Sequence, residues 1–209
     1  MDEALEEYIL RHIDPEGDYL HALYRASHLH LLYPRMVSGH LQGRLLKMLV
    51  RMIRPRWVLE IGTYSGYSAL CMAEGLERGA RLVTIEKNDE MEDFLRHWLG
   101  GSPYADRIDL LMGDALDLIP RLDPSWDLVF IDGDKRLYSD YYRLLLPRLA
   151  SGGYIVADNT LWDGHVLEGT PTSAKTTGIQ DFNQMVAHDD RVEKVILPLR
   201  DGLTIVRKK

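Results

Sequence analysis

The chain has 209 residues, 45% of them apolar, which is enough for one domain with a substantial core and too apolar for a disordered chain. Its formal charge of -7 weighs against a broad nucleic-acid-binding face. Apolar runs such as 128–131 fall far short of the ~20 residues that cross a bilayer, and the acidic start Met1-Asp2-Glu3 predicts no secretory signal.

The only cysteine, Cys71, lies in an apolar stretch. It excludes an internal disulfide, fits a reducing cytoplasm, and reads as an inert buried thiol. Residues 1–53 read as helices, with one stripe at Leu5, Ile9, His12 and Ile13. A second, at Leu41, Leu45, Met48, Leu49 and Met52, ends before Pro55. The pattern then changes. Short apolar runs at 57–61, 82–85, 108–112, 128–131 and 154–157 read as strands buried on both faces. Amphipathic stretches at 67–76, 91–99, 115–122 and 138–149 fall between them. Strand–helix alternation implies a parallel sheet with helices on both faces. The end differs: 192–199 and 203–206 are β-rich and joined around Asp201-Gly202, a hairpin signal, so the sheet should close with an antiparallel pair. The expectation is a single α/β domain over 1–209, with a helical cap at 1–53 and a Rossmann-like, seven-stranded, mostly parallel core at 54–209.

In open α/β sheets ligands bind beyond the carboxyl ends of the strands, and polar residues gather at those ends. The first strand runs into Glu60-Ile-Gly-Thr-Tyr-Ser-Gly66, where glycines permit a tight turn and close approach to a ligand. The spacing Gly-x-x-x-Gly departs from the dinucleotide fingerprint, which lowers the case for a nicotinamide or flavin enzyme. A turn without a ligand remains the alternative. Glu86, at the end of the second strand and 24 residues after Gly62, suits the two hydroxyls of a ribose. Gly113-Asp114-Ala115 ends the third, where an adenine edge would lie.

The fourth and fifth strands end in Asp132-Gly-Asp-Lys135 and Asp158-Asn159. Two carboxylates and an amide oxygen from neighbouring strand ends suit a hard cation such as magnesium, with positions left for substrate oxygens. Helix capping or solvation is the alternative for each acid. A lysine beside a cation can serve as a general base; a surface ion pair with Asp132 or Asp134 is the plainer reading of Lys135.

Val58-Leu-Glu-Ile-Gly-Thr-Tyr-Ser-Gly-Tyr-Ser-Ala69, Phe130-Ile-Asp-Gly-Asp-Lys135, Ala157-Asp-Asn-Thr-Leu-Trp162 and Asp201-Gly-Leu203 together resemble the cation-dependent class I O-methyltransferases, the family of catechol and caffeoyl-CoA O-methyltransferases. The resemblance runs from about Met36 to the C-terminus. It implies S-adenosylmethionine as donor and a divalent cation, Mg²⁺ first with Mn²⁺ or Ca²⁺ as alternatives. It makes Asp132, Asp158 and Asn159 metal ligands and Lys135 the base, working with Asp132. It places Ser38, Glu60, Gly62, Thr63, Ser68, Glu86, Ala115, Asp132 and Asp134 around the cofactor, and Lys135 and Trp162 at the substrate. Ordinary packing beneath a loop is the alternative for Trp162.

The implied reaction is methylation of a metal-bound hydroxyl on a small catechol-type phenol, by a cytoplasmic enzyme that resembles homodimeric relatives. A transfer-RNA hydroxyuridine O-methyltransferase with the same metal site is the alternative. It would call for a basic lid, whereas 163–178, read as a lid-like loop containing His165, carries only Lys175 as a fixed positive charge. Arg44, Lys47, Arg51, Arg54 and Arg56 read as a solvated helix face. Three departures stand out. Gly133 replaces a commoner alanine, Leu41-Gln42 replaces an acidic pair before Gly43, and no acid matches the one that holds the second hydroxyl in animal catechol enzymes.

Overall fold

The computed structural model describes residues 3–209, so the start at Met1-Asp2 lies outside the described residues. In chain order the elements are α1 (Glu3–His12), α2 (Asp18–His30), α3 (Gly39–Ile53), β1 (Trp57–Ile61), α4 (Tyr67–Gly75), β2 (Arg81–Glu86), α5 (Glu92–Gly100) and β3 (Ile108–Met112). They continue with α6 (Ala115–Leu118), β4 (Trp126–Ile131), α7 (Tyr138–Leu145), β5 (Leu149–Asp158), α8 (Ala174–Ala187), β6 (Val192–Leu197) and β7 (Leu203–Lys208). The strands form one seven-stranded sheet in the order β3-β2-β1-β4-β5-β7-β6. β2–β3, β1–β4 and β4–β5 pair in parallel, and β7 runs antiparallel to both β5 and β6. This is the mostly parallel Rossmann-like sheet with an antiparallel end that the sequence implied. No helix among the described residues is long and apolar enough to cross a membrane.

By contact density the chain groups into two compact units: 1–56 with 63–112, and 57–62 with 113–209. In the first, α3 packs on α4 through small residues. A Cβ on Gly43 would lie 2.6 Å from Cys71 Sγ, and one on Gly75 would lie 2.8 Å from the Lys47 carbonyl oxygen. The inward face of α3 is therefore Gln42, Gly43, Arg44, Leu46 and Val50. Of the apolar stripe that the sequence advertises, Leu41, Leu45 and Leu49 are half-buried, while Met48 and Met52 turn outward, and Met52 is 73% exposed. Leu5 on α1 is likewise exposed. Close approach through glycines shifts the most buried face of α3 away from Met48 and Met52, because close backbone contact brings many packed atoms together. Cys71 is fully buried, and burial pushes its thiol up to about 12 against the opposing pull of Arg44, as an inert thiol should behave.

In the second unit, β4 and β5 are almost entirely buried beyond their first residues, and Val129, Phe130, Ile131, Ile155, Val156 and Ala157 have no exposed surface. Several boundaries differ from the sequence reading. α7 stops at Leu145, short of 149, because Pro147 cannot donate the next helical bond. β5 begins at Leu149, well before 154, and a register shift opposite Trp126 and Leu128 accommodates the early start, with Gly152 at φ 77. β6 ends at Leu197 because Pro198 follows.

Candidate active site

The ends of β4 and β5 carry the densest set of functional groups. Ile131 pairs in register with Ala157, so Asp132 and Asp158 are the next residues on neighbouring strands, which lie about 4.8 Å apart in a sheet. Asp158 is 4% exposed, and its Oδ1 accepts the Asn159 N–H at 2.8 Å. Asn159 sits in the left-handed region at φ 58, a conformation asparagine tolerates better than most residues. The Asp132 N–H donates to the Ile61 carbonyl at 2.9 Å, which fixes the turn after β4 against β1. Gly62 meets that turn so closely that a Cβ would stand 2.4 Å from the Asp132 carbonyl oxygen, and its φ of 95 also demands glycine.

Lys135 Nζ donates to Asp132 Oδ1 at 2.7 Å, with the two side chains 13% and 18% exposed. The pairing anticipated with Asp132 forms, but in a half-buried place. Asp134 turns elsewhere: it accepts the Arg136 backbone N–H and guanidinium, and Arg136 holds its carboxyl below the usual carboxylate range. Glu60 is fully buried in β1 beside Phe130, and Ala115 is buried at the start of α6, where Asp114 caps the helix by accepting the Leu116 N–H.

Two contributors to this region, Tyr138 and Gly178, were not read from the sequence, and a third, the Asp201-Gly202 turn, was read only as a hairpin and a family motif. The phenol of Tyr138, fully buried, reaches both the Ile131 and the Asp158 carbonyl oxygens. Gly178 on α8 presses against the Lys135 backbone, with a Cβ there placed 2.4 Å from the Lys135 carbonyl oxygen. The Asp201-Gly202 turn holds the segment after Asn159. The Asp201 carbonyl accepts the Leu161 and Trp162 N–H groups at 2.8 and 3.3 Å, its carboxylate accepts the Asp163 N–H, and the Gly202 carbonyl accepts the Thr160 N–H at 3.1 Å.

The stretch 163–178 is therefore not wholly a loop. Ser173 caps α8 by accepting the Thr176 N–H, so 174–178 is helical. Ile179, Phe182 and Val186 form the buried stripe that the loop reading hid, since it ran past the helix start. Trp162 is half-buried at φ 49, and His165 bonds to Glu168 within the turn that precedes α8.

The donor set fits a hard cation. Burial pushes the Tyr138 phenol well up, and the charges of Asp132, Asp158 and Asp201 push it further in the same direction. Burial also raises the Asp201 carboxyl, with the Asp163 charge adding and Lys135 opposing. This concentration of carboxylate in a half-buried place favours a bound cation, and carboxylate and amide oxygens suit Mg²⁺. Among the described residues no three His, Cys, Asp or Glu side chains group as a metal cluster; the candidate donors are two carboxylates and an amide.

The first unit, taken by itself, holds the loop that follows β1. The Tyr64 N–H donates to Glu86 Oε2 at 2.7 Å and the Asn88 N–H to Oε1 at 2.8 Å, so the acid singled out for a ribose also anchors the glycine turn. Thr63 Oγ1 lies 2.6 Å from Thr84 Oγ1, and Gly66 N–H donates to the Thr63 carbonyl at 2.8 Å. Ser38, directly before α3, and Ser68, in the first turn of α4, are both buried.

A family model for O-methyltransferases matches residues 12–209. Caffeoyl-CoA O-methyltransferase 1 of Eucalyptus globulus is 32% identical over 184 residues, covering 83% of this chain and 75% of that protein. A catechol O-methyltransferase of Niastella koreensis is 31% identical over 162 residues, covering 76% and 73%. The crystal structure of an O-methyltransferase from Bacillus cereus in complex with SAH superposes with a TM-score of 0.93 at 28% identity, covering 99% of this chain and 97% of that one. The fold is that of the Rossmann-like methyltransferases. The chain belongs to the O-methyltransferase family, and its chemistry is transfer of a methyl group to oxygen.

Proposed function

We propose that this O-methyltransferase moves a methyl group from S-adenosylmethionine to one hydroxyl of a small catechol-type phenol, with Asp132, Asp158 and Asn159 holding a divalent cation, magnesium first. The observation that carries the reading is the half-buried Lys135–Asp132 pair, 2.7 Å long, at a strand end next to that of Asp158 and Asn159. The relatives named for catechol and caffeoyl-CoA support a phenolic acceptor, and the SAH-bound neighbour supports the donor.

A hard cation supplies Lewis acidity here, lowering the pKa of a phenol beside it. The rest falls to the chain. Glu86 receives the ribose hydroxyls; Glu60, Gly62, Thr63, Ser68 and Ser38 line the methionine part; Ala115 and Asp134 border the nucleoside. Lys135 Nζ takes the phenolic proton, and Trp162 packs on the acceptor ring. A sulfonium is already activated, so aligning the oxyanion with the methyl is the main remaining task. The whole chain acts as one catalytic domain, and a homodimer would cover apolar groups such as Met48 and Met52 that are exposed on one chain.

Incubation with S-adenosylmethionine, Mg²⁺ and a dihydroxybenzoate should give the mono-O-methyl product. Chelation should abolish the reaction and added Mg²⁺ should restore it. No product from catechols, or turnover indifferent to chelation, would overturn the proposal; methylation of transfer RNA alone would reassign the acceptor.

A further inference from the structure

Tyr138 has no task in the chemistry proposed above, yet its hydroxyl touches the ends of both β4 and β5. It has no exposed surface. Its ring packs edge-on against Phe182 of α8, 5.5 Å between centroids, and Tyr141 lies 6.4 Å away. Phenylalanine would fill the same apolar volume. A buried hydroxyl costs free energy unless it is hydrogen-bonded, and this one spends its bond at a particular place. Its oxygen lies 3.2 Å from the Ile131 carbonyl oxygen and 3.0 Å from that of Asp158. The last in-register pair of the β4–β5 ladder is Ile131 with Ala157, so the phenol spans the two strands where their own ladder runs out. One carbonyl immediately precedes Asp132 in the chain, and the other belongs to Asp158. The ring does a second job: Lys135 Nζ stands 5.5 Å from its centroid, within cation–π range, while donating to Asp132.

We propose that Tyr138 is a positioning residue for the cation site: its hydroxyl sets the spacing of Asp132 and Asp158, and its ring holds Lys135 toward Asp132. The inference rests on the assignment of those carboxylates to a divalent cation. Outer groups that orient metal ligands change affinity without touching the ion, and a bridge between two ligand-bearing strand ends is such a group.

The test is Mn²⁺ titration of the full chain, without acceptor, read from the electron paramagnetic resonance of free Mn²⁺. Tyr138→Phe should weaken Mn²⁺ binding by about tenfold while far-UV circular dichroism stays unchanged. Tyr142→Phe serves as the control. It also removes a hydroxyl from a buried α7 tyrosine, one that bonds Asp189 at 2.9 Å, and it should leave Mn²⁺ binding unaltered. Equal Mn²⁺ affinity in Tyr138→Phe and the unaltered chain would overturn the inference, as would an equal loss in Tyr142→Phe. If Tyr138→Phe fails to fold, 4-aminophenylalanine at position 138 restores a donor on the same ring. Affinity equal to that of the unaltered chain then supports the bridge, and a loss of about tenfold refutes it. An unaltered chain that binds no Mn²⁺ would instead remove the cation site itself, a result distinct from either variant outcome.

Discussion

The loop after β1 and the ends of β4 and β5 are both built to hold small polar groups in fixed places, but by different means. The loop is held by its own N–H groups within one strand–helix–strand stretch: Gly66 to the Thr63 carbonyl, Thr63 to the Ile85 carbonyl, and Tyr64 to the Glu86 carboxylate. The strand ends are held by the Tyr138 phenol, and from farther down the chain by Gly178 of α8 and the Asp201-Gly202 turn. A turn of the kind proposed to receive the cofactor can be a local motif, because it works by shape. A site that gathers like charges needs bracing from outside, because carboxylates brought together repel until a cation arrives.

The largest effect should come from removing the one group at the strand ends assigned to proton transfer. Lys135→Met should lower kcat by about 10²–10⁴ with little change in the KM for S-adenosylmethionine, as read by SAH release. A kcat near that of the unaltered enzyme would place the base elsewhere.

Next comes the bracing itself. Gly178→Ala drives a Cβ into the Lys135 carbonyl, 2.4 Å away, where only backbone can yield. A displaced Lys135 should cost about 10- to 100-fold in kcat, and the strain about 1–3 kcal/mol in stability by urea denaturation. An innocuous Gly178→Ala would show that α8 merely covers the strand ends.

The loop should fail differently. Both Glu86 oxygens accept backbone N–H groups, so Glu86→Gln sets an amide N–H₂ against a backbone donor. The KM for S-adenosylmethionine should rise about tenfold, with kcat at saturation little altered. A fall in kcat alone would mean that the loop and the strand ends are not separable.

The smallest effect on turnover should come from a half-buried ion cluster outside both regions. Glu74 accepts Arg44 at 2.8 Å and Lys47 at 2.6 Å. Burial raises its carboxyl, but the two cations outweigh burial and leave it below the ordinary range. Its stabilisation is thus complete above the unfolded carboxylate pKa, near 4.3, and is lost as pH falls through the lower folded value. Glu74→Gln should leave methyl transfer unchanged at neutral pH and cost about 1–3 kcal/mol of stability there. The deficit should shrink when chemical denaturation is repeated on acidification.

The same contrast explains how much could be read from the chain. The glycine turn, Glu86, the Asp132–Lys135 spacing and the Asp158-Asn159 pair each announce themselves within a few residues, and the alternation of strands and helices fixes the sheet that carries them. Tyr138 does not, since one aromatic among Tyr138, Tyr141 and Tyr142 reads as helix packing. Gly178 was absorbed into a loop: the run Gly164, Gly169, Pro171 and Ser173 looks irregular, and Ser173 turns from loop residue to helix cap only when Ile179, Phe182 and Val186 are seen as one stripe. The α3 face was misjudged for a related reason. Hydrophobic size marks a stripe in a sequence, whereas Gly43 and Gly75 bury their helices by what they lack.

The most direct measurement is an anomalous difference map from a crystal grown with Mn²⁺ and SAH. The account predicts one peak touching oxygens of Asp132, Asp158 and Asn159, within about 2.0–2.3 Å, with Lys135 alongside. A map with no peak there, and those three side chains splayed apart, would contradict it.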